Sequence, residues 1–256
     1  IVKAYIDQGF AWVGITEHIP PLSDEMRYPD EAEAGLSAEF LQQRFNQYFE
    51  LGREIQQKYA DKIELLLAFE IETYSGAKDY VNDLINQFQP DYLVGSLHHV
   101  NEIGIDYSRD YYQQALSKAG NMKQLYCDYF DSQYEMMNEF KPAVVAHFDL
   151  IRAFDPDYLS TLADSEVIEK VERNLNFIAD NKLILDLNLR GFDKGLEQYP
   201  SLSILKKAIA KGIAIVPGDD SHGVKSVGRN YDQGLTVLAN LGVSLKWQKP
   251  VLISYK

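Results

Sequence analysis

The chain has 256 residues, 46% of them hydrophobic, which suffices to bury the core of one α/β domain spanning residues 1–256. A formal net charge of −13 at pH 7 argues against nucleic acid or an anionic membrane surface as a partner, since either needs a basic footprint. The single cysteine, Cys127, excludes an intrachain disulfide and a four-thiolate zinc site and fits a reducing cytoplasm.

No apolar run approaches the roughly 20 residues of a membrane span, and the opening residues lack the shape of a signal peptide. They read instead as an amphipathic helix stopped by Gly9, already under way at Ile1, so that further residues are expected upstream. A β-run over Ala11 to Thr16 leads into a Pro-rich excursion through Ile19-Pro-Pro and Arg27-Tyr-Pro-Asp, expected to be ordered or lid-like. Ser37 is placed to cap a long helix carrying Phe40, Leu41, Phe45, Tyr48, Phe49, Ile55 and Tyr59 at helical spacing. The apolar run from Ile63 ends in Glu70, and a helix over Ala77 to Phe88 precedes a run from Tyr92 to Leu97.

A helix over Asn121 to Phe140 stops before Pro142 and gives way to a short buried strand, Ala143 to Ala146. Then come a helix over Asp164 to Asp180 and a strand over Leu183 to Leu189. A helix over Ser201 to Lys211, capped by Gly212, leads to a strand over Ile213 to Val216. A helix near Asp232 to Leu241 and the apolar Val251-Leu-Ile-Ser close the chain. Repeated β/α units with continuous apolar strands predict parallel strands covered by helices, as a barrel or a doubly wound sheet. An open sheet gathers its site at one switch point, whereas ligand-type residues at many strand ends favour a barrel with its site at the C-terminal rim.

Those residues are specific ones. Four of the five histidines punctuate strand-like runs, namely His18, His98, His147 and His222, and Glu70 ends another. Imidazole with carboxylate suits Zn²⁺, Mn²⁺ or Fe²⁺, and the set is too large for one tetrahedral ion, so a multinuclear cluster and phosphoester hydrolysis are expected. Asp220 and His222, one residue apart, are expected to face inward together from an extended strand end. His98 and His99 should point to opposite sides, with His98 the ligand. Glu70 is preferred over Glu72, which reads as solvated or supporting, and Glu17 and Asp149 as flanking residues.

The segments Thr16-Glu-His-Ile-Pro20, Ala68-Phe-Glu-Ile-Glu72, Val94-Gly-Ser-Leu-His-His-Val100, Val145-Ala-His-Phe-Asp-Leu-Ile-Arg152 and Pro217-Gly-Asp-Asp-Ser-His-Gly223 resemble the polymerase and histidinol phosphatase (PHP) superfamily, histidinol-phosphatase branch. The resemblance covers nearly the whole chain. It implies a distorted TIM-like (β/α)7 barrel and a trinuclear centre of Zn, Mn or Fe that hydrolyses L-histidinol phosphate in histidine biosynthesis. By that likeness Glu70 bridges two metals, Asp220 serves the first, His98 and His147 the second, and His18 and His222 the third. The family's first strand, with its His-x-His, has no counterpart in this sequence, which begins in the helix expected to follow it.

A phosphate monoester also calls for arginine, whose planar fork pairs two phosphate oxygens. Arg152 and Arg190 follow strand ends and are expected at the rim, with Arg229 a further candidate. Asp220 or His222 is expected to protonate the leaving alkoxide, and Glu17 to help hold the cationic end of the substrate. Two alternatives remain open: another phosphoesterase on the same scaffold, and a non-catalytic metal-binding module. The sequence leaves a homo-oligomer open.

Overall fold

The computed structural model describes residues 1–255, which fall into two compact units. One comprises Val2–Ile71, Gly76–Val94 and the segment from Leu252; the other comprises Ile1, Glu72–Ser75 and Gly95–Val251.

The first unit runs α1 (Val2–Asp7), β1 (Trp12–Ile15), α2 (Pro29–Glu33), α3 (Ala38–Lys58), β2 (Glu64–Ile71), α4 (Ala77–Phe88) and β3, which starts at Tyr92. Strand β1 lies parallel to β2, in register from Trp12 opposite Glu64 to Ile15 opposite Leu67, and β3 flanks β2 on its other side. Helix α3 begins where Ser37 accepts the Phe40 amide, satisfying one of the donors that a helix start leaves orphaned. Its inner face drives Phe45 and Phe49 against Phe69 of β2 and Phe88 of α4, with ring centroids 4.9–6.4 Å apart. Gly52 lets the helix approach, because a Cβ there would meet Leu67 Cδ1 at 2.7 Å. The Asp91 carboxylate, taking Arg53 at 2.7 Å and the Leu67 amide at 2.7 Å, ties the start of β3 to α3 and β2.

The second unit opens with a small antiparallel hairpin, β4 (His99–Val100) and β5 (Ile103–Gly104). Helices α5 (Arg109–Ala119) and α6 (Met122–Phe140) follow, then β6 (Val144–Val145), a 3₁₀ turn over Leu150–Phe154, α7 (Tyr158–Leu162) and α8 (Ser165–Asp180). Strand β7 (Ile184–Asn188), a one-turn α9 (Arg190–Asp193), α10 (Leu202–Ala210), β8 (Ala214–Gly218) and α11 (Tyr231–Asn240) complete it. Strands β6, β7 and β8 are parallel, with Val145 opposite Leu185 and Ile184 to Asn188 opposite Ala214 to Gly218. Helix α8 packs on α6 through buried Asn174, whose amide donates to Phe130 O at 2.7 Å, and through Lys170 and Arg173 on Asp131 at 2.7 Å. Those two cations hold the Asp131 carboxyl below its ordinary range, outweighing the opposing effect of burial.

Besides the hairpin, then, each unit contributes three parallel strands alternating with helices, the α/β pattern expected. The Pro-rich excursion is ordered as α2, and Val251-Leu-Ile-Ser adds no strand, although Ile253 N donates to Asp91 O at 2.9 Å. Among the described residues no helix is long and apolar enough to cross a membrane.

Candidate metal and phosphate site

In the first unit the site residues follow from strand register. The β1–β2 pairing continues past the regular strands to a bridge of His18 with Glu70, fixed by Glu70 N donating to Glu17 O at 2.9 Å. Two extended segments in parallel register put both side chains on one face, so His18 Nε2 lies 3.6 Å from Glu70 Oε2. The Tyr28 ring meets the His18 ring edge-on, with centroids 6.1 Å apart. Below the pair, the Tyr48 hydroxyl sits 2.7 Å from Ile15 O and 2.9 Å from Ala68 O, and burial pushes its pKa well up, keeping it a proton donor. Glu17, expected to touch substrate, is exposed.

In the second unit His98 and His147 come together. Both are buried, 7% and 6% exposed, with rings edge to face at 4.9 Å. His147 follows β6 in a left-handed backbone conformation (φ 25°), which turns its side chain at the strand end. His98 Nδ1 lies 3.1 Å from Asp106 Oδ2. Burial raises the Asp106 pKa, but the charges and hydrogen bond of His98 outweigh it and hold the carboxyl below its ordinary value. His99 Nδ1 lies 3.3 Å from Glu72. Glu72 is 2% exposed, so of the two positions expected for it, solvated or supporting, the structure excludes the solvated one.

The third cluster stands at the ends of β7 and β8. Strand β8 stops at Gly218, and Asp220 takes a left-handed conformation (φ 50°), so Asp220 and His222 sit on a turn and not on the extended strand end expected. The turn still brings them together, with His222 Nδ1 3.4 Å from Asp220 Oδ1 and 2.9 Å from Asp220 O. Arg190, at the start of α9, contacts both His222 ring nitrogens and lies 3.7 Å from Asp220. Asn188, the last residue of β7, organises the cluster: its Nδ2 lies 3.3 Å from Asp220 Oδ2 and its Oδ1 accepts the Arg190 amide at 3.1 Å. Arg229 is apart from this cluster in its contacts, pairing with Asp193 at 3.2 Å with its side chain 59% exposed.

Arg152 departs from expectation. In place of a rim position, it is 1% exposed, with Nε 3.2 Å from Asp149 and Nη2 donating to Glu197 O and Gln198 O at 2.9 and 2.6 Å. The guanidinium packs over the rings of Tyr199 and Tyr158, at 4.2 and 5.0 Å from their centroids. Asp149 also accepts Ser201 N at 2.9 Å, so the 3₁₀ turn after His147 is locked to the segment before α10. The turn Leu150–Phe154 carries Arg152 inward, a reversal that strand-end counting does not foresee.

The donor chemistry fits divalent cations. Imidazole and carboxylate side chains are paired at 3.6 Å in one cluster and 3.4 Å in another, and a third presents two buried imidazoles. Asp106, Asn188 and the contact of Glu72 with His99 escape a sequence reading, because each group is brought to its partner by a turn or a neighbouring strand.

A PHP domain model matches residues 1–190. The chain is 34% identical to a Schizosaccharomyces pombe protein named "Probable histidinol-phosphatase", over 95% of this chain and 81% of that one. The chain belongs to the PHP family, in its histidinol-phosphatase branch. This PHP chain also superposes on the hisK protein of Listeria monocytogenes with a TM-score of 0.79 and 28% identity, covering 91% of each chain. The fold is shared further with a histidinol phosphate phosphatase of Lactococcus lactis subsp. lactis, complexed with zinc, L-histidinol and phosphate. There the TM-score is 0.66 at 20% identity, over 95% of this chain and 86% of that one.

Proposed function

We propose that this chain is a metal-dependent phosphoric monoester hydrolase that converts L-histidinol phosphate to L-histidinol and phosphate. Residues 1–256 are read as one catalytic domain, since the family model runs through both units. The observation that carries the reading is the Asp220–His222–Arg190 cluster at two adjacent strand ends. It joins metal-type donors to a guanidinium suited to a phosphoryl group, in a chain 34% identical to a histidinol-phosphatase.

The ligand set we assign is His18, Glu70, His98, His147, Asp220 and His222, and its size favours a trinuclear centre of zinc, manganese or iron. When bound, such ions acidify water and neutralise phosphoryl charge. Arg190, its side chain 36% exposed, takes phosphate oxygens through its planar fork and orients the ester for attack on phosphorus. As water adds to phosphorus and the bond from phosphorus to the histidinol oxygen breaks, the alkoxide would take up the proton that the water gives up, relayed by Asp220 or His222, which stand in contact at the same turn. Asn188 holds Asp220 and the Arg190 backbone in place for both tasks. The buried Arg152 acts on phosphate only by shaping the loop after His147, and Arg229, bound to Asp193, gives way to Arg190 as the phosphate group. Glu17 is exposed and free of a role in the fold's core, which suits contact with the cationic imidazole or amine of the substrate. A small phosphorylated substrate reconciles the charge of −13 with phosphate chemistry, and reduced, buried Cys127 fits action in the cytoplasm.

The test is a panel of phosphomonoesters assayed with the metal-loaded protein: L-histidinol phosphate, nucleoside monophosphates and an aryl phosphate. A kcat/KM for L-histidinol phosphate at least about 10²-fold above the others supports the reading, since recognition of the histidinol moiety through two or three polar contacts supplies that much. Equal rates, or a preference for nucleotides, refute the substrate assignment.

A further inference from the structure

We propose that Asp106 is a positioning residue: its carboxylate holds the His98 imidazole with Nδ1 protonated, turning Nε2 toward a divalent cation. The inference rests on the proposed reading of His98 as a metal ligand.

The contact itself is Nδ1 to Oδ2 at 3.1 Å, made by a ring that is 7% exposed and that meets the His147 ring edge to face at 4.9 Å. A buried imidazole with one nitrogen committed to a carboxylate has one tautomer and one ring orientation, which makes its second nitrogen a better ligand.

The means of bringing Asp106 there is the hairpin. The two groups are eight positions apart in sequence, and the chain must reverse between them. It does so through β4 and β5, with His99 opposite Gly104 and Val100 opposite Ile103, and Ile105 N donates to His98 O at 2.9 Å. The ladder thus extends to His98 itself and sets Asp106 one residue beyond the last backbone bond. The two turn residues, Asn101 and Glu102, are both left-handed (φ 51° and 66°). Such a turn ordinarily uses glycine, and glutamate there costs conformational energy.

Contacts around the turn offset that cost. Glu102 accepts the Ser75 amide at 3.0 Å and hydroxyl at 2.9 Å, while Asn101 donates to Asp128 at 3.0 Å and its carbonyl accepts Lys118 at 2.8 Å. A hairpin pinned at its tip to α5, α6 and the segment after β2 is rigid enough to fix a side chain at its root. That bracing is the second observation, independent of the Asp106 contact, that marks the hairpin as a positioning device.

The experiment compares chelator-stripped wild type, Asp106→Ala, Asp106→Asn and His98→Ala. Zn²⁺ affinity is read by competition with a chromophoric chelator, and the His98 tautomer by long-range ¹H–¹⁵N spectra of the metal-free protein. Asp106→Ala is expected to show mixed His98 tautomers and to weaken one zinc equivalent by about 10–100-fold. Asp106→Asn, whose amide oxygen can accept the same proton, is expected to keep the Nδ1–H tautomer and recover most of the affinity. It also serves alone if the alanine variant fails to fold, and loss of the tautomer in it would then overturn the proposal.

An Asp106→Ala protein with wild-type tautomer and affinity overturns the proposal, as does an Asp106→Asn protein no better than the alanine variant. His98→Ala separates the two claims. If it loses a zinc equivalent that Asp106→Ala retains, only the role of Asp106 falls. If it retains every equivalent, the ligand reading of His98 falls and this inference with it.

Discussion

His98 and His222 are both assigned as metal ligands, and their surroundings are opposite. The His98 side chain is 8% exposed, held by Asp106 and flanked by His147, whereas that of His222 is 61% exposed on a turn and leans on Arg190. The first is enclosed by its neighbours; the second sits on an exposed turn beside Arg190 and Asp220. On the proposed reading, the contrast separates groups that hold an ion in place from groups that meet the phosphate, and it predicts that damage to the two regions should look different.

The largest effect is expected at the buried end. His147→Ala should lower turnover of L-histidinol phosphate by at least ~10³-fold, from the loss of several kcal/mol of charge stabilisation, while far-ultraviolet circular dichroism stays native. A metal-replete His147→Ala protein with full activity would break the comparison at its root. Next comes Arg152→Ala, which strands the Asp149 carboxylate in the core. The expected cost is about 3–5 kcal/mol, seen as a fall in Tm on the order of 10 °C. If Arg152 instead were a phosphate fork, Tm would hold and KM would rise.

The fold was legible where local chemistry is explicit. The cap Ser37 marks the start of α3, and the helices expected from Asn121 and Asp164 do begin there, each of those residues accepting a backbone amide two or three positions on. The apolar runs mark the strands, and the histidines at their ends mark the site. Helix α5 escaped notice because Tyr112 and Ala115 are its only buried residues, too sparse for an apolar stripe. The β4–β5 hairpin escaped because Asn101-Glu102 lacks the glycine that announces such a turn, and with it went Asp106. Counting from a strand end puts Arg152 at the rim, because it does not show that a 3₁₀ turn rolls the side chain inward.

Smaller effects sharpen the contrast on its exposed side. Arg190→Ala should raise KM for L-histidinol phosphate by about 10–100-fold, the worth of one or two charge-assisted hydrogen bonds, with Tm unchanged. A KM within twofold of wild type would remove Arg190 from the phosphate site.

The smallest effect is acid sensitivity. The folded pKa of Asp106 lies below its ordinary 3.8, so its contribution to stability is present above that value and lost as pH falls below it, through the lowered pKa. Asp106→Asn should therefore flatten the acid limb of metal-free unfolding measured by urea titration between neutral pH and pH 3. An acid limb identical to wild type would show that the carboxylate is not stabilised by His98.

The most direct test of the account is phosphate release from L-histidinol phosphate by chelator-stripped protein, followed as Mn²⁺ or Zn²⁺ is added back. The account predicts negligible release without metal and release restored by stoichiometric cation. Release that is indifferent to the chelator, or none from folded and metal-loaded protein, would contradict it.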